Sequence, residues 1–312
     1  MSDTLHRFQL ENLHVRGEWL SLSQSWQEIQ STTDYPPAIR QVLGEALVAI
    51  GLLTDSLKFD GSLVLQIHGT APVNMLVVQA TSDGSIRGLA NWQGEISPEA
   101  NFKELFQPID DMNGNSRQGT MVVSVEPNST QSERYQSLVS LEGESLAECF
   151  TQYFAQSEQL NTRLWLAVDD KVAAGLMLQS LPSEETGIDN TSQSDGWDHA
   201  SILADTLKDH ELLELPAQEL LHRLYHEEDL RIYDAKSIRF ECTCSQEKID
   251  HAIHSIGEEE ANSIVVEQGE ITVDCDFCNT HYVLDSVDVK RLFSDADVSI
   301  NTTDANGTGS VH

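Results

Sequence analysis

The sequence predicts an α+β fold: a sheet-rich N-terminal core domain with packing helices, a helical linker and a small C-terminal cysteine module. Three observations predict it. Apolar residues recur at helical spacing after Pro36, then at a period of two between Leu63 and Leu141. A polar Ser/Thr/Asp/Gly stretch from Ser183 to Gly196 marks a boundary, and two short charged helical segments follow it. Beyond these, four of the chain's five cysteines fall in two tight pairs. The expected partition is 1–182 for the core, 183–237 for loop and linker, 238–293 for the module and 294–312 for a disordered tail.

The first assigned element is a helix from Pro36. Ile39, Val42, Leu43, Ala46, Leu47, Ile50 and Leu57 fall mostly on one face, and Pro36-Pro37 suits a helix start. Strands are predicted over Leu63–Ile67, Asn74–Ala80 and Ser85–Trp92, separated by turn signals at Gly69-Thr70-Ala71-Pro72 and Asp83-Gly84. Met121–Val125 and Tyr135–Leu141 read as two more. Leu146, Cys149, Phe150, Tyr153 and Phe154 form a helical stripe, which makes the fifth cysteine a small core residue. Arg163–Val168 and Ala173–Ser180 form a hairpin around Asp169-Asp170. In the linker, one helix is expected over Asp198–Glu214 and, after Pro216, another over Ala217–Glu228. Both carry few apolar residues and need a docking partner to be stable.

The formal charge is 18 − 51 = −33. Such a surface repels a phosphate backbone, which argues against nucleic acid as a partner. No uninterrupted apolar run approaches the roughly 18 residues of a membrane span, so no membrane partner is expected. Met1–Leu10 lacks a basic and an apolar leader region, so a cytoplasmic location is expected, where clustered cysteines signal metal binding or redox sensing. No G-x-x-x-x-G-K-[ST] loop is present, so ATP use is not indicated.

The pairs are Cys242-Thr243-Cys244 and Cys275-Asp276-Phe277-Cys278. A C-x-C and a C-x-x-C can close a tetrahedral all-thiolate zinc site through Cys242, Cys244, Cys275 and Cys278. Each pair can also close on itself as a disulfide, so metal site and redox couple remain alternatives. Between the pairs, Ile249, Ile253 and Ile256 suggest a weak helix. Ile271 and Val273 with Tyr282-Val283-Leu284 suggest a hairpin whose knuckle is the second pair. His251, His254 and His281 make a Cys2His2 site conceivable, but four cysteines fill four positions with nothing left over. Four thiolates also leave no open position for a catalytic metal. His222 and His226 share a helix face without the H-E-x-x-H order of metalloproteases.

A module of this size has too little apolar content to be held by its own core, and zinc supplies the missing stability. Three functions compete: a redox switch, a zinc-ribbon scaffold without redox switching, and a thiol oxidoreductase using Cys275 and Cys278. Ribbons that bind nucleic acid are basic, whereas from Glu241 onward there are 3 Lys/Arg against 15 Asp/Glu. A catalytic C-x-x-C sits at a helix N-terminus, not on a hairpin knuckle, so no enzyme is expected.

Over nearly its whole length the chain resembles the redox-regulated 33-kDa heat-shock chaperones (heat shock protein 33). The resemblance rests on Cys242-Thr243-Cys244 and on Asp274-Cys275-Asp276-Phe277-Cys278 followed by His281-Tyr282. It extends upstream to Tyr153–Gln159, Ala173–Gln179 and Arg223–Glu228. Asn161 stands where relatives usually carry Pro. The resemblance implies a cytoplasmic, ATP-independent holdase that is inactive while its reduced cysteines bind one zinc per chain. It implies that oxidation releases zinc and pairs Cys242 with Cys244 and Cys275 with Cys278. The linker then unfolds and exposes a surface for unfolding client proteins, and the active form is a homodimer through the N-terminal domain.

Overall fold

Alternating apolar residues build two six-stranded sheets, and one long helix packs on both. The protein is described by a computed structural model over residues 3–56, 60–69, 72–106, 109–110, 116–117, 119–129, 133–181 and 190–301. It divides into two units, Met1–Glu241 and Cys242–His312.

The first unit opens with a hairpin that periodicity does not reveal. β1 (Thr4–Leu10) and β2 (Val15–Leu22) pair antiparallel around a short 3-10 turn. Every residue of β2 from Gly17 to Leu22 is buried, so the strand lacks the alternation of a half-exposed one. α1 (Gln24–Gln30) is started by Asp3, whose carboxylate accepts the N–H groups of Ser23, Gln24 and Ser25. α2 (Pro37–Ser56) matches its expected start, and 14 of its 20 residues are buried, more than one apolar face can bury. By length and composition α2 passes for a membrane span, with a mean hydropathy of 1.3. However, 78% of its apolar window is buried in the core, and it is the central helix of the fold.

β3 (Gly61–His68), β4 (Val73–Thr81) and β5 (Ser85–Trp92) follow at the expected places. α3 (Phe102–Leu105) carries a reciprocal Asn101/Glu104 capping box, and β6 (Ile109–Asp110) pairs with β7 (Ser116–Arg117). The sequence assigned none of these three short elements. β8 (Thr120–Pro127) and β9 (Tyr135–Val139) extend the sheet beyond β3. α4 (Leu146–Tyr153) is capped by Ser145 and buries Cys149, as the stripe predicts. The hairpin of β10 (Thr162–Val168) and β11 (Ala173–Ser180) joins β2, giving the order β10-β11-β2-β1.

The linker helices lie on the outer face of that sheet and make a second core with Phe8, Leu10, Trp19, Leu176 and Leu178. α5 (Asn190–Ala204) begins inside the stretch expected to be a loop. Its Gly196 passes so close to Leu13 that a Cβ would meet the Leu13 carbonyl oxygen at 2.8 Å, and Trp197 is buried just beyond. The rest of that loop, residues 183–189, lies outside the described residues. The single helix expected over Asp198–Glu214 is two, α5 and α6 (Asp209–Glu214). Thr206 breaks it: its hydroxyl and its N–H both return to the Leu203 carbonyl, at 2.7 and 3.1 Å. α7 (Ala217–Tyr225) follows Pro216 and stops three residues before the expected Glu228.

β12 (Leu230–Ile232) and β13 (Lys236–Ser237) then pair with β1, and β14 (Arg239–Phe240) pairs parallel with β5. The second sheet therefore reads β14-β5-β4-β3-β8-β9. Ile238–Glu241, expected in the cysteine module, belongs to the first unit.

The second unit contains α8 (Gln246–Ile256), α9 (Glu258–Gln268), the hairpin β15 (Ile271–Asp274) and β16 (His281–Leu284), and α10 (Ser286–Asn301). α10 passes the boundary expected at 293, and residues 302–312 lie outside the described residues. Among the described residues, the buried core of this unit is five residues: Ile253, Ala261, Ile271, Leu284 and Val289.

Candidate metal centre

Two backbone devices present the four cysteines. Cys242 and Cys244 lie outside regular secondary structure just before α8, whose N-terminus is capped by the Ser245 hydroxyl. Cys275–Cys278 forms the knuckle between β15 and β16. There the Cys275 carbonyl accepts N–H groups from Cys278 (3.2 Å) and Asn279 (2.7 Å), and Cys275 N–H donates to the Thr280 carbonyl (3.0 Å). Asn279 takes the left-handed conformation, φ 55°, that Asn tolerates better than most residues. Lys248, one turn into α8, donates to the Thr243 carbonyl between the first pair (2.6 Å).

These devices bring all four Sγ atoms within 4.8 Å of one another. The closest approaches run between the pairs: 3.6 Å from Cys242 to Cys275 and 3.4 Å from Cys244 to Cys278. A tetrahedral thiolate site with metal–sulfur bonds of about 2.3 Å has sulfur–sulfur edges of roughly 3.8 Å, so the donor set fits such a metal. All four cysteines are partly buried and none is disulfide-bonded.

Protonation works against four free thiolates in this space. Burial pushes the Cys242 thiol up to about 12 and also raises that of Cys275. Burial opposes ionisation of Cys278 too, but the Thr280 hydroxyl 3.1 Å away, the Thr280 N–H and the thiols of Cys244 and Cys242 bring it down to about 7. A dication reverses this logic by stabilising thiolates directly. Soft sulfur donors in a closed set of four suit zinc among the common metals.

The other candidate ligands do not join the cluster. His281 Nδ1 faces Asp274 across the hairpin at 2.7 Å, and His254 stacks on Phe293 with ring centroids 5.1 Å apart. His222 and His226 stack on each other at 5.8 Å. Among the described residues, the four cysteines are the one group of three or more His, Cys, Asp or Glu placed to hold a metal ion. Cys149 is 1% exposed, with its thiol pushed up by burial.

In the first unit, the linker helices are pinned at their polar margin. The Asp205 carboxylate accepts both guanidinium nitrogens of Arg163 (2.9 and 2.8 Å) and the Trp165 indole N–H (3.1 Å). Glu228 accepts from Asn12 at 2.7 Å and lies 2.9 Å from His199 Nε2. The sequence offered no signal for these contacts, since each joins segments far apart in the chain. Lys248 and Thr280 were missed as supports of the cysteines for a different reason: they act through one carbonyl and one hydroxyl.

Fold and site together define a protein with a two-sheet core, helices laid over one sheet, and a second unit that carries a four-cysteine cluster. The chain belongs to the Hsp33 protein family, whose model matches residues 3–285. It is 42% identical to the 33 kDa chaperonin of Shewanella loihica, over 94% of this chain and 96% of that protein. Identity to the 33 kDa chaperonin of Escherichia coli is also 42%, with the same coverage of each. The crystal structure of the 33 kDa chaperonin (heat shock protein 33 homolog) of Thermotoga maritima superposes with a TM-score of 0.75 at 23% identity. That match covers 96% of this chain and all of the other, and it supports the fold. The protein is thus a chaperone of the Hsp33 family.

Proposed function

We propose that this chain is a redox-regulated, ATP-independent holdase. Cys242, Cys244, Cys275 and Cys278 hold one zinc in the resting form, and the bound metal supplies a crosslink to a module with little core of its own. The observation that carries the reading is the pairing of that five-residue core with four clustered thiols.

Oxidation consumes one peroxide per cysteine pair: the two zinc-bound thiolates give up two electrons and join as a disulfide, Cys242–Cys244 or Cys275–Cys278, and the peroxide takes those electrons and two solvent protons and leaves as two waters. All four donors are consumed, so zinc is released. The chain-entropy balance favours unfolding of the module. In the metal-bound form the first link between the pairs closes about 34 residues, worth roughly 3.8 kcal/mol by loop closure, whereas a local C-x-C or C-x-x-C disulfide contributes under about 2. Long staples are exchanged for short ones.

The linker follows because Cys242 is covalently next to the strands that end the first unit. α5, α6 and α7 are short and depend on docking. Their detachment uncovers Phe8, Leu10, Trp19, Leu176 and Leu178, an apolar sheet face suited to unfolding client proteins. The net charge of −33 keeps a client-loaded complex soluble. The active form is a homodimer through the N-terminal domain; Tyr135 and Leu138, exposed on edge strand β9, offer apolar surface for that contact. The setting is the cytoplasm, and the role is protection against oxidative and heat aggregation without catalysis.

The test is light scattering from a thermally unfolding client. Peroxide-treated protein suppresses aggregation, reduced zinc-loaded protein does not, and reductant with zinc restores the resting state. Equal suppression by both forms would leave a holdase without redox switching, and suppression by neither would leave a zinc-ribbon scaffold.

A further inference from the structure

The last stretch of the first unit, Leu230–Glu241, ties one strand of each sheet to the other. β12 and β13 pair with β1, and β14 pairs with β5, so a dozen residues strap the open side of the sandwich. Ile238 N–H donates to the Asp3 carbonyl (3.0 Å), Arg239 N–H to that of Gly84 (2.9 Å) and Glu241 N–H to that of Ile86 (3.2 Å). Gly84 sits at φ 94°, and a Cβ there would meet the Ser237 carbonyl oxygen at 2.5 Å, so the turn admits the strap only as glycine.

Side chains complete the seat. Ile238, 9% exposed, covers a narrow gap lined by Leu5, Gly51, Thr54, Ala80 and Ile86, and Phe240 packs on the same core. Acids flank the gap. Lys236 Nζ donates to Asp55 (2.7 Å) and Arg239 to Asp83 (2.8 Å). Asp55 also lies 3.4 Å from Arg7 Nε, and Glu18, 3% exposed, leaves its Oε2 without a hydrogen-bond partner among the charges of Asp55, Arg16, Arg7 and Lys236. The occupant therefore has a pattern, Lys-Ser-Ile-Arg-Phe: extended, apolar at two positions two apart, with basic residues between and before them. Its pairing with β5 is only two residues long, so it is held weakly by its ladder.

We propose that the 236–240 strap is an autoinhibitory occupant of a client site. Displaced, it leaves an acidic, strand-accepting slot between the two sheets that takes an extended client segment with alternating apolar and basic residues. Main-chain pairing supplies affinity for any sequence, and the gap and the acids supply the preference. The surface is distinct from the sheet face beneath α5–α7. It rests on the holdase reading above, because a chaperone role supplies the client.

The probe is a fluorescent peptide with the sequence of residues 234–241, titrated into full-length protein. Reduced Ile238→Asp and reduced Arg239→Glu chains, and oxidised wild type, bind it at least tenfold more tightly than reduced wild type. Arg239 is a surface residue, so Arg239→Glu carries the test if Ile238→Asp fails to fold. Replacing the peptide's Ile and Phe by Ser, or its Lys and Arg by Glu, weakens binding about tenfold or more. The proposal is overturned if strap release gives no gain, or if the control peptides bind equally. It is equally overturned if hydrogen exchange finds residues 238, 239 and 241 still protected in the oxidised protein, by their own seat or by a second copy's. Oxidised protein that suppresses client aggregation yet ignores the peptide overturns the slot and leaves the holdase. Failure of the holdase appears instead in the scattering assay, while peptide titration of the reduced variants still decides the slot.

Discussion

The sulfurs of Cys244 and Cys278, 34 residues apart in sequence, lie 3.4 Å apart. On the zinc reading proposed above, a contact of that range does for the second unit what a hydrophobic core does for the first. It joins the chain just before α8 to the knuckle of the hairpin, and it is lost when either thiol changes chemistry.

Cys275→Ser removes one of four donors and leaves a hydroxyl that is a poor zinc ligand. Zinc content measured on purified protein falls well below one per chain. Amide protection across α8, β15 and β16 falls with it, because five buried residues do not hold the module alone. Native zinc affinity in this variant would contradict the four-cysteine site.

Chelation without oxidant separates metal loss from disulfide formation. A strong zinc chelator is expected to raise hydrogen exchange throughout residues 242–293 while the amides of β3 and β4 stay protected. Unchanged protection in the module would mean that its fold does not depend on metal.

Leu221 is fully buried between α7 and the first sheet. Leu221→Ala costs about 2–5 kcal/mol, a large share of what docks a nine-residue helix. Limited proteolysis of the reduced protein should then cut within α5–α7 at temperatures where wild type resists, with client suppression appearing before oxidation. Resistance equal to wild type would show that this face does not hold the linker.

Glu18 gives the pH dependence a sign. Its carboxyl is raised well above the usual range, by burial first and by Asp55 second, against the opposing pull of Arg16, Arg7 and Lys236. The folded state therefore favours the protonated form. That contribution is complete below the unfolded value of about 4.3 and is lost as pH rises toward the folded one. Glu18→Gln keeps the shape without the charge, so it raises the melting temperature at pH 7–8, and the gain fades on acidification toward pH 4. A gain independent of pH would point to packing instead.

Cys149 should behave unlike the other four. It is buried in α4 with a raised thiol, so an alkylating reagent labels it only on unfolding. Cys149→Ala is expected to leave zinc content at one per chain and the peroxide response unchanged; loss of either would give this thiol a part in the switch.

Much of this architecture was legible in the sequence where one face of an element is wet. β5 was read at its observed limits, and α2 and the cysteine hairpin came close, because period and turn residues agree there. β2 was not, because a strand buried on both faces does not alternate, and β1 was not, because its buried Leu5, Phe8 and Leu10 do not keep a period of two. The break at Thr206 depends on one hydroxyl returning to the backbone, and the start of α5 on a glycine that lets it approach Leu13. The four cysteines were legible as a set, since spacing alone allows few other fates for two such pairs. The supports from Lys248 and Thr280, and the strap across both sheets, arise only from tertiary placement.

The most direct test follows zinc release, disulfide identity and client protection in the same oxidised sample. Peroxide under mild heat should release one zinc per chain, yield Cys242–Cys244 and Cys275–Cys278 on peptide mapping, and switch on suppression of client aggregation with the same time course. Suppression that is equally strong in the reduced, zinc-loaded protein would contradict the account.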